Sequence, residues 1–216
     1  MANSTFRGVK ISVAVSVLAL CLLGAISENV ATQDPLTRFD ASLLESLHRH
    51  ATPTGVAIFI LISRIGSPIT MTALAFGGAL VLAYRRQWTM LGGWGAAFTG
   101  AALLDRWLKL TIHRPRPSYA AALLDNQTWS FPSGHAMGAL VGYGMLAYVL
   151  ILLGGGTRKT NVLIVASTTA LVVIIGISRL YLGVHYFSDV AGGYAAGLLW
   201  LCVCIAVLER RLHPTD

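Results

Sequence analysis

Six stretches of this sequence stay apolar for about the length a helix needs to cross a bilayer, and short polar connectors join them. A bilayer core takes roughly 20 apolar residues of helix. No water is present there, so only a structure that pairs its own backbone N–H and C=O groups can span it. The stretches run from about Val9 to Ser27, Pro68 to Tyr84, Trp88 to Leu108, Gly134 to Leu153, Asn161 to Ile177 and Phe187 to Leu208. They predict an all-α fold, a polytopic integral membrane helical bundle of six transmembrane helices, forming a single domain over residues 1–216. Composition agrees. Only 12% of residues are charged and 55% are hydrophobic, whereas a soluble domain carries about 25% charged residues.

The remaining segments are read by their punctuation. Arg7 and Lys10 precede the first stretch, a pattern shared with a signal peptide whose cleavage would fall near Ala31. The apolar core exceeds the usual h-region of about 7–15 residues, so a retained helix is expected. Residues 28–50 are polar and amphipathic, with Asp34-Pro35 as a start signal and Phe39, Leu43, Leu44 and Leu47 on one helical face. They read as a helix lying at the interface, or equally as a surface helix packed over the bundle. With the short apolar run 54–65 they form an extracytoplasmic or interfacial segment, 28–66. Cys21, Cys202 and Cys204 lie inside apolar stretches with no metal-ligand spacing, and they read as packing residues.

Charge placement gives the orientation. Arg7/Lys10, Arg85/Arg86, Arg158/Lys159 and Arg210/Arg211 fall on one side of a six-span layout, which the positive-inside rule makes cytoplasmic. The 109–133 loop and the turn from Arg179 to Tyr186 then share the opposite side, because two spans separate them. The net charge of +7 would suggest nucleic acid in a soluble chain. Here the cations sit beside apolar spans without a nucleic-acid fold signature, so membrane lipids and an anionic substrate are the expected partners, and nucleic acid is not.

The polar residues at the span ends carry the chemistry. Lys109 closes the third stretch; it can snorkel, pair with Asp105 four residues earlier, or hold a phosphate oxygen. Arg116 and Arg179 offer the bidentate fork that suits phosphoryl oxygens. Pro132-Ser133-Gly134-His135 opens the fourth span. There Ser133 can cap the helix, and the free N–H groups of the first turn, approached closely at Gly134, make an anion site. His135 then faces the same anion. His185 and Asp189 stand one helical turn apart if the sixth span has begun there, so the carboxylate can fix the imidazole tautomer. Pairing of Asp189 with Arg179 is its alternative. Arg114 reads as a headgroup or surface cation and His113 as a loop histidine. Trp129, Phe131, Tyr119 and Tyr181 are candidates for the pocket boundary or for interfacial packing. A zinc site on His135, His185 and Asp189 is conceivable, but Lys109, Arg116 and Arg179 would repel the cation, so no metal is expected.

Lys109 through Arg116-Pro117, the run Pro132-Ser133-Gly134-His135, and Ser178-Arg179 through His185 to Asp189 together resemble the type 2 phosphatidic acid phosphatase (PAP2) superfamily. That family writes them as K-x6-R-P, P-S-G-H and S-R-x5-H-x3-D. The resemblance covers about Asp105 to Gly193 by motif. It implies a PAP2-like fold and a cofactor-free, metal-independent membrane lipid phosphatase or pyrophosphatase working through a phosphohistidine. It makes His185 the nucleophile, Asp189 its support and His135 the general acid. Lys109, Arg116, Ser133, Gly134 and Arg179 would hold the phosphate, with 109–133 as the catalytic loop. The implied substrates are undecaprenyl pyrophosphate, phosphatidylglycerol phosphate or phosphatidic acid. The implied location is the inner (cytoplasmic) membrane, with the site facing the periplasm or cell exterior. Transfer of the phosphate to an acceptor other than water, or a membrane transporter or scaffold, are the other readings.

Overall fold

The computed structural model describes residues 2–32, 35–119 and 128–212. Asp34 and residues 120–127 of the expected catalytic loop lie outside the described residues, as do the side chains of Arg7 and Lys10. The described chain forms α1 (Ala2–Thr32), α2 (Pro35–Arg49), α3 (Pro53–Ile65), α4 (Pro68–Tyr84), α5 (Trp88–Ile112), α6 (Gly134–Gly154), α7 (Arg158–Tyr181) and α8 (Phe187–Leu212). Local sequence sets several starts. Thr52 and Ser67 cap α3 and α4 ahead of a proline at the first helical turn, and Thr157 caps α7. A proline loses nothing there, since its missing N–H has no helical partner in that turn.

Among the described residues, five segments are long and apolar enough to cross a membrane: Ile11–Thr32, Pro53–Tyr84, Gly134–Gly154, Arg158–Tyr181 and Phe187–Leu212. One of the six expected stretches, Trp88–Leu108, is not among them. Its helix α5 has 25 residues, but its glycines and tryptophans, with Asp105, Arg106 and Lys109 near its end, dilute its hydropathy. The molecule is inverted relative to a soluble protein. Ile69, Phe76 and Leu80 of α4, Leu18 of α1, Leu103 and Trp107 of α5 and Leu163 of α7 all point outward. The core holds Trp94, Met137, Val141, Met145 and Leu208, and Leu23, Ile26 and Val30 bring α1 into it. Cys204 packs in this core, whereas Cys21 is exposed and plays no packing part.

α6 and α8 are the innermost helices, and their starts meet backbone to backbone. A Cβ on Gly193 would lie 2.7 Å from Ser133 O and 3.2 Å from the Ala136 Cβ. Only a glycine permits that approach, and small residues serve this purpose throughout membrane bundles. α2 is the packed surface helix rather than a purely interfacial one. It rests on α1, α7 and α8 with Asp40 and Leu44 buried, while Phe39 stays exposed against the edge of Phe187.

Candidate active site

The ends of α5 and α7 and the starts of α6 and α8 gather at one end of the bundle. α5 stops at His113, whose backbone is left-handed (φ 51°) and whose N–H closes on Lys109 O. Lys109 is left in the last turn beside the start of α6; a Cβ on Gly134 would lie 3.3 Å from its Nζ. Lys109 Nζ donates to both oxygens of Asp105 at 2.6 Å. The pairing open in the sequence is formed, and the lysine stands next to the α6 start with its charge already balanced.

Main-chain hydrogen bonds fix the three motif stretches to one another. Ser133 N donates to Asp189 O at 2.8 Å, and Ser130 N donates to Arg114 O at 2.8 Å. Arg116 bridges the rest. Its Nε and Nη2 donate to Thr128 O and Oγ1 at 2.8 and 2.9 Å. Its Nη1 donates to Val184 O at 2.9 Å and to His185 Nε2 at 3.1 Å. A guanidinium has only donors, so Nε2 is the accepting nitrogen of His185. The ring proton is then on Nδ1, which donates to Asp189 Oδ2 at 3.3 Å. The same oxygen accepts from Tyr186 N at 2.9 Å and from Ser130 Oγ. α8 begins at Phe187, so His185 precedes the helix and Asp189 reaches back over its first turn. The four-residue spacing closes all the same.

His185 is 2% exposed and Asp189 fully buried. Burial pushes the His185 imidazole down to about 4, against the pull of Asp189 and with the help of Arg116 and Arg179. It is neutral at neutral pH, with its Nε2 lone pair free of a proton. Burial also draws Arg116 below its ordinary value, opposed by Asp189 and Asp105. A stability consequence follows from His185. Its folded pKa of about 4 lies below the ordinary 6.5, so between those values the unfolded chain binds a proton that the folded chain refuses. The associated stability is complete above pH 6.5 and is lost as pH falls toward the folded value. Thermal unfolding in detergent across a pH series should show that loss, with a shallower slope in His185→Asn. An equal slope in the variant would remove His185 as its source.

Arg179, at the end of α7, is buried and donates from Nη1 to Ser63 Oγ of α3. Its Nε has no partner, and neither has the buried Oγ of Ser133. Ser133 takes the N-cap position of α6 without a side-chain capping bond, which corrects the expected cap. The first intrahelical bond of α6 is Met137 N to Ser133 O at 3.0 Å, and the amides ahead of it are those a helix start offers to an anion. Buried donors without partners are costly, which makes the start of α6 a candidate anion site.

Lys109, Arg116, Gly134, His135, Arg179 and His185 line one cavity of about 650 Å³. From this polar end the cavity continues between α4, α5 and α6 along Met71, Ala75, Phe98, Ala102, Met137 and Val141. Asp189 stands behind His185, outside the lining. Tyr119, Trp129, Phe131 and Tyr181 do not line it. Phe131 is fully buried, Trp129 lies edge-on to His113, Tyr119 stacks on His48, and Tyr181 packs on Phe59. Arg114 corrects a further expectation. It is no surface cation: it donates to Asp189 Oδ1 and to Asp40 Oδ2, each at 2.7 Å. Asp189 is accordingly paired with Arg114 and His185 rather than with Arg179. Asp40, Ser63, Thr128, Ser130 and Ser188 also escaped the sequence reading. The available signal for Asp40 was its place on the α2 stripe of Leu36, Leu44 and Leu47, where an acid is out of keeping. Among the described residues, no group of three or more His, Cys, Asp or Glu is arranged to hold a metal ion.

A multi-pass helical membrane bundle with a cavity lined by cations and histidines at the ends of its central helices is the class that fold and site define. Residues 90–212 match the model of the PAP2 superfamily, and the chain belongs to that superfamily. Phosphatidylglycerophosphatase B of Bacillus subtilis (strain 168) is 42% identical over 127 residues, 56% of this chain and 59% of that protein. Decaprenylphosphoryl-5-phosphoribose phosphatase of Mycobacterium tuberculosis (strain CDC 1551 / Oshkosh) is 33% identical over 127 residues, 57% of this chain and 63% of that protein. The chain thus spans about three fifths of the length of these curated relatives. The crystal structure of a transmembrane PAP2 type phosphatidylglycerolphosphate phosphatase from Bacillus subtilis superposes with a TM-score of 0.77 at 29% identity, covering 95% of this chain and 98% of that one.

Proposed function

We propose that this chain is a lipid phosphatase that removes a terminal phosphate through a phosphohistidine on His185. The observation that carries the reading is the two-ended cavity: cations and two histidines at one end, an apolar groove between helices at the other. A phosphate headed by an acyl or prenyl chain fits both ends; a small soluble phosphate uses only the first. The named activities of the relatives, phosphatases of phosphatidylglycerophosphate and of decaprenylphosphoryl-5-phosphoribose, are of this chemical kind. Phosphatidylglycerol phosphate, undecaprenyl pyrophosphate and phosphatidic acid are the substrates to compare.

The chemistry follows from the atoms in place. Arg116 Nη1, which covers His185 Nε2, turns to the phosphoryl oxygens and frees the lone pair. Lys109, Arg179, Ser133 and the amides at Gly134 hold the same oxygens as charge builds on them. Nε2 attacks phosphorus, the bond from phosphorus to the lipid oxygen breaks, and His135, protonated by the phosphate monoanion as it binds, passes that proton to the departing oxygen. Asp189 accepts from Nδ1 and stabilises the positive charge the ring acquires. Water then attacks the phosphohistidine, His135 takes the proton of the water, the P–N bond breaks, and orthophosphate leaves. None of these steps draws on a metal or an organic cofactor.

The reading extends to topology. One domain over 1–216 spans the inner (cytoplasmic) membrane six times with α5 as a span. The length of α5, about 37 Å at 1.5 Å per residue, and its outward Leu103 and Trp107 support this. The basic pairs face the cytoplasm, and segment 28–66 and the catalytic loop 109–133 face the periplasm or exterior. One experiment addresses substrate and side together. Right-side-out vesicles should release phosphate from added lipid phosphates without permeabilisation, and inverted ones only after it. Gly138→Leu, which fills the groove against Met71, should raise KM for long-chain lipids more than for short-chain analogues. Hydrolysis of glucose 6-phosphate with no lipid activity would end the lipid reading, and the reversed latency would end the orientation.

A further inference from the structure

Arg114 and Asp40 lie outside the cavity, yet they are tied to the residue behind the nucleophile. Arg114 Nη1 donates to Asp189 Oδ1 at 2.7 Å and to Ser188 Oγ at 2.6 Å. Its Nη2 donates to Asp40 Oδ2 at 2.7 Å. Asp40 Oδ1 accepts from Ser188 N at 2.9 Å, and Ser188 Oγ donates to Asp40 Oδ2. The Tyr186 ring covers the guanidinium at 4.1 Å. Asp40 is 1% exposed and Asp189 fully buried. Asp189 and Asp40 hold the Arg114 charge firmly in place, raising its pKa despite burial. The two oxygens of Asp189 therefore have separate duties. Oδ2 serves His185, Ser130 and Tyr186 N, and Oδ1 serves Arg114 alone among the hydrogen bonds it makes.

We infer that Arg114 and Asp40 are positioning residues for the reaction: Arg114 fixes the plane of the Asp189 carboxylate, and Asp40 keeps Arg114 from neutralising it. This rests on the phosphohistidine reading. A guanidinium held between two carboxylates cannot rotate without breaking a buried charged pair, and that is strongly unfavourable. The carboxylate it grips is held equally, so Oδ2 stays aimed at His185 Nδ1. The charge sum gives the role of Asp40. Asp40, Arg114 and Asp189 together carry one negative charge, which remains to support the imidazole as it becomes cationic in the attack. Without the Asp40 charge the sum is zero, and Arg114 opposes the charge that develops on His185. Residue 40 comes from α2, outside the three motif stretches, so part of the catalytic apparatus is supplied by a helix the motifs do not include.

The test is a double-mutant cycle read by rapid quench on phosphorus-labelled phosphatidylglycerol phosphate and undecaprenyl pyrophosphate. Asp40→Asn keeps the acceptor for Ser188 N and removes the charge. It should slow phosphoenzyme formation and lower kcat about tenfold to a hundredfold, the usual scale for an outer partner of a reacting group, with KM unchanged. In an Asp189→Asn background the same substitution should have no further effect, because its path runs through that carboxylate. Should Asp40→Asn fail to assemble, Arg114→Lys serves. It keeps a cation between the carboxylates without the fork, and the same loss of kcat at constant KM is expected. A change confined to KM, an unchanged kcat, or losses that simply multiply in the double variant would overturn the inference while leaving the phosphatase reading intact. A parent chain that forms no phosphoenzyme on either lipid overturns both.

Discussion

His185→Ala is expected to lose the phosphoenzyme and turnover together. The imidazole presents a deprotonated Nε2 to the cavity, held there by Asp189 on the other nitrogen and by burial that keeps the ring neutral. On the proposed mechanism a methyl group in its place removes the atom that bonds phosphorus, together with the ring's bonds to Arg116 and Asp189, and leaves Lys109, Arg179 and the start of α6 to hold a phosphate. Binding should survive, so orthophosphate or vanadate should still protect the folded variant against heating. The rate should fall by about 10⁶, the scale on which enzymes lose activity when a covalent nucleophile is removed. Quenching the parent during turnover of a phosphorus-labelled lipid should yield acid-labile label on His185. Label recovered on another residue, or turnover by the variant near the parent rate, would contradict the assignment.

Asp189→Asn should carry the second largest effect. The amide keeps the shape and can still accept from Tyr186 N or Ser130. It can no longer stabilise an imidazolium, and a flipped amide would present a donor to Nδ1 and favour the wrong tautomer. The expected cost is roughly 10²–10⁴ in single-turnover phosphorylation, in keeping with positioned acid–base groups. The fold should persist, because Arg114 retains Asp40 as its counter-charge. A single-turnover rate equal to that of the parent would take Asp189 out of the mechanism.

The bundle was legible because apolar length and terminal basic pairs are local signals. So was the convergence of the motif stretches, which needs only an even number of spans between them. The α5 stretch has the length of a span and tryptophans suited to an interface, but its glycines and charges weaken it by composition. Motif spacing tells Arg116 from Arg114: it picks out the arginine that lines the cavity and passes over the one that grips Asp189 behind His185. Nothing local could have found it. The partners of Arg114 are Asp40, 74 residues away, and Asp189, 75 residues away, and such pairings exist only once α2 is docked. Ser133 misled for the opposite reason. A serine ahead of a helix normally caps it, but here the hydroxyl is left without a partner at the start of α6.

The hydrogen bonds from Ser133 N to Asp189 O, from Ser130 N to Arg114 O and from Arg116 to Val184 O all end on main-chain atoms. Two of the three begin on them as well. The placement of the motif stretches is therefore drawn largely in main chain, which every amino acid but proline supplies in full, while the groove along Met71, Phe98, Met137 and Val141 is drawn in side chains. On the proposed phosphatase reading, mutational drift can reshape the groove one residue at a time and change which lipid fits, without disturbing the placement of His185 and Asp189. Divergence in diet with constancy in chemistry is the evolutionary behaviour that such a division of materials permits.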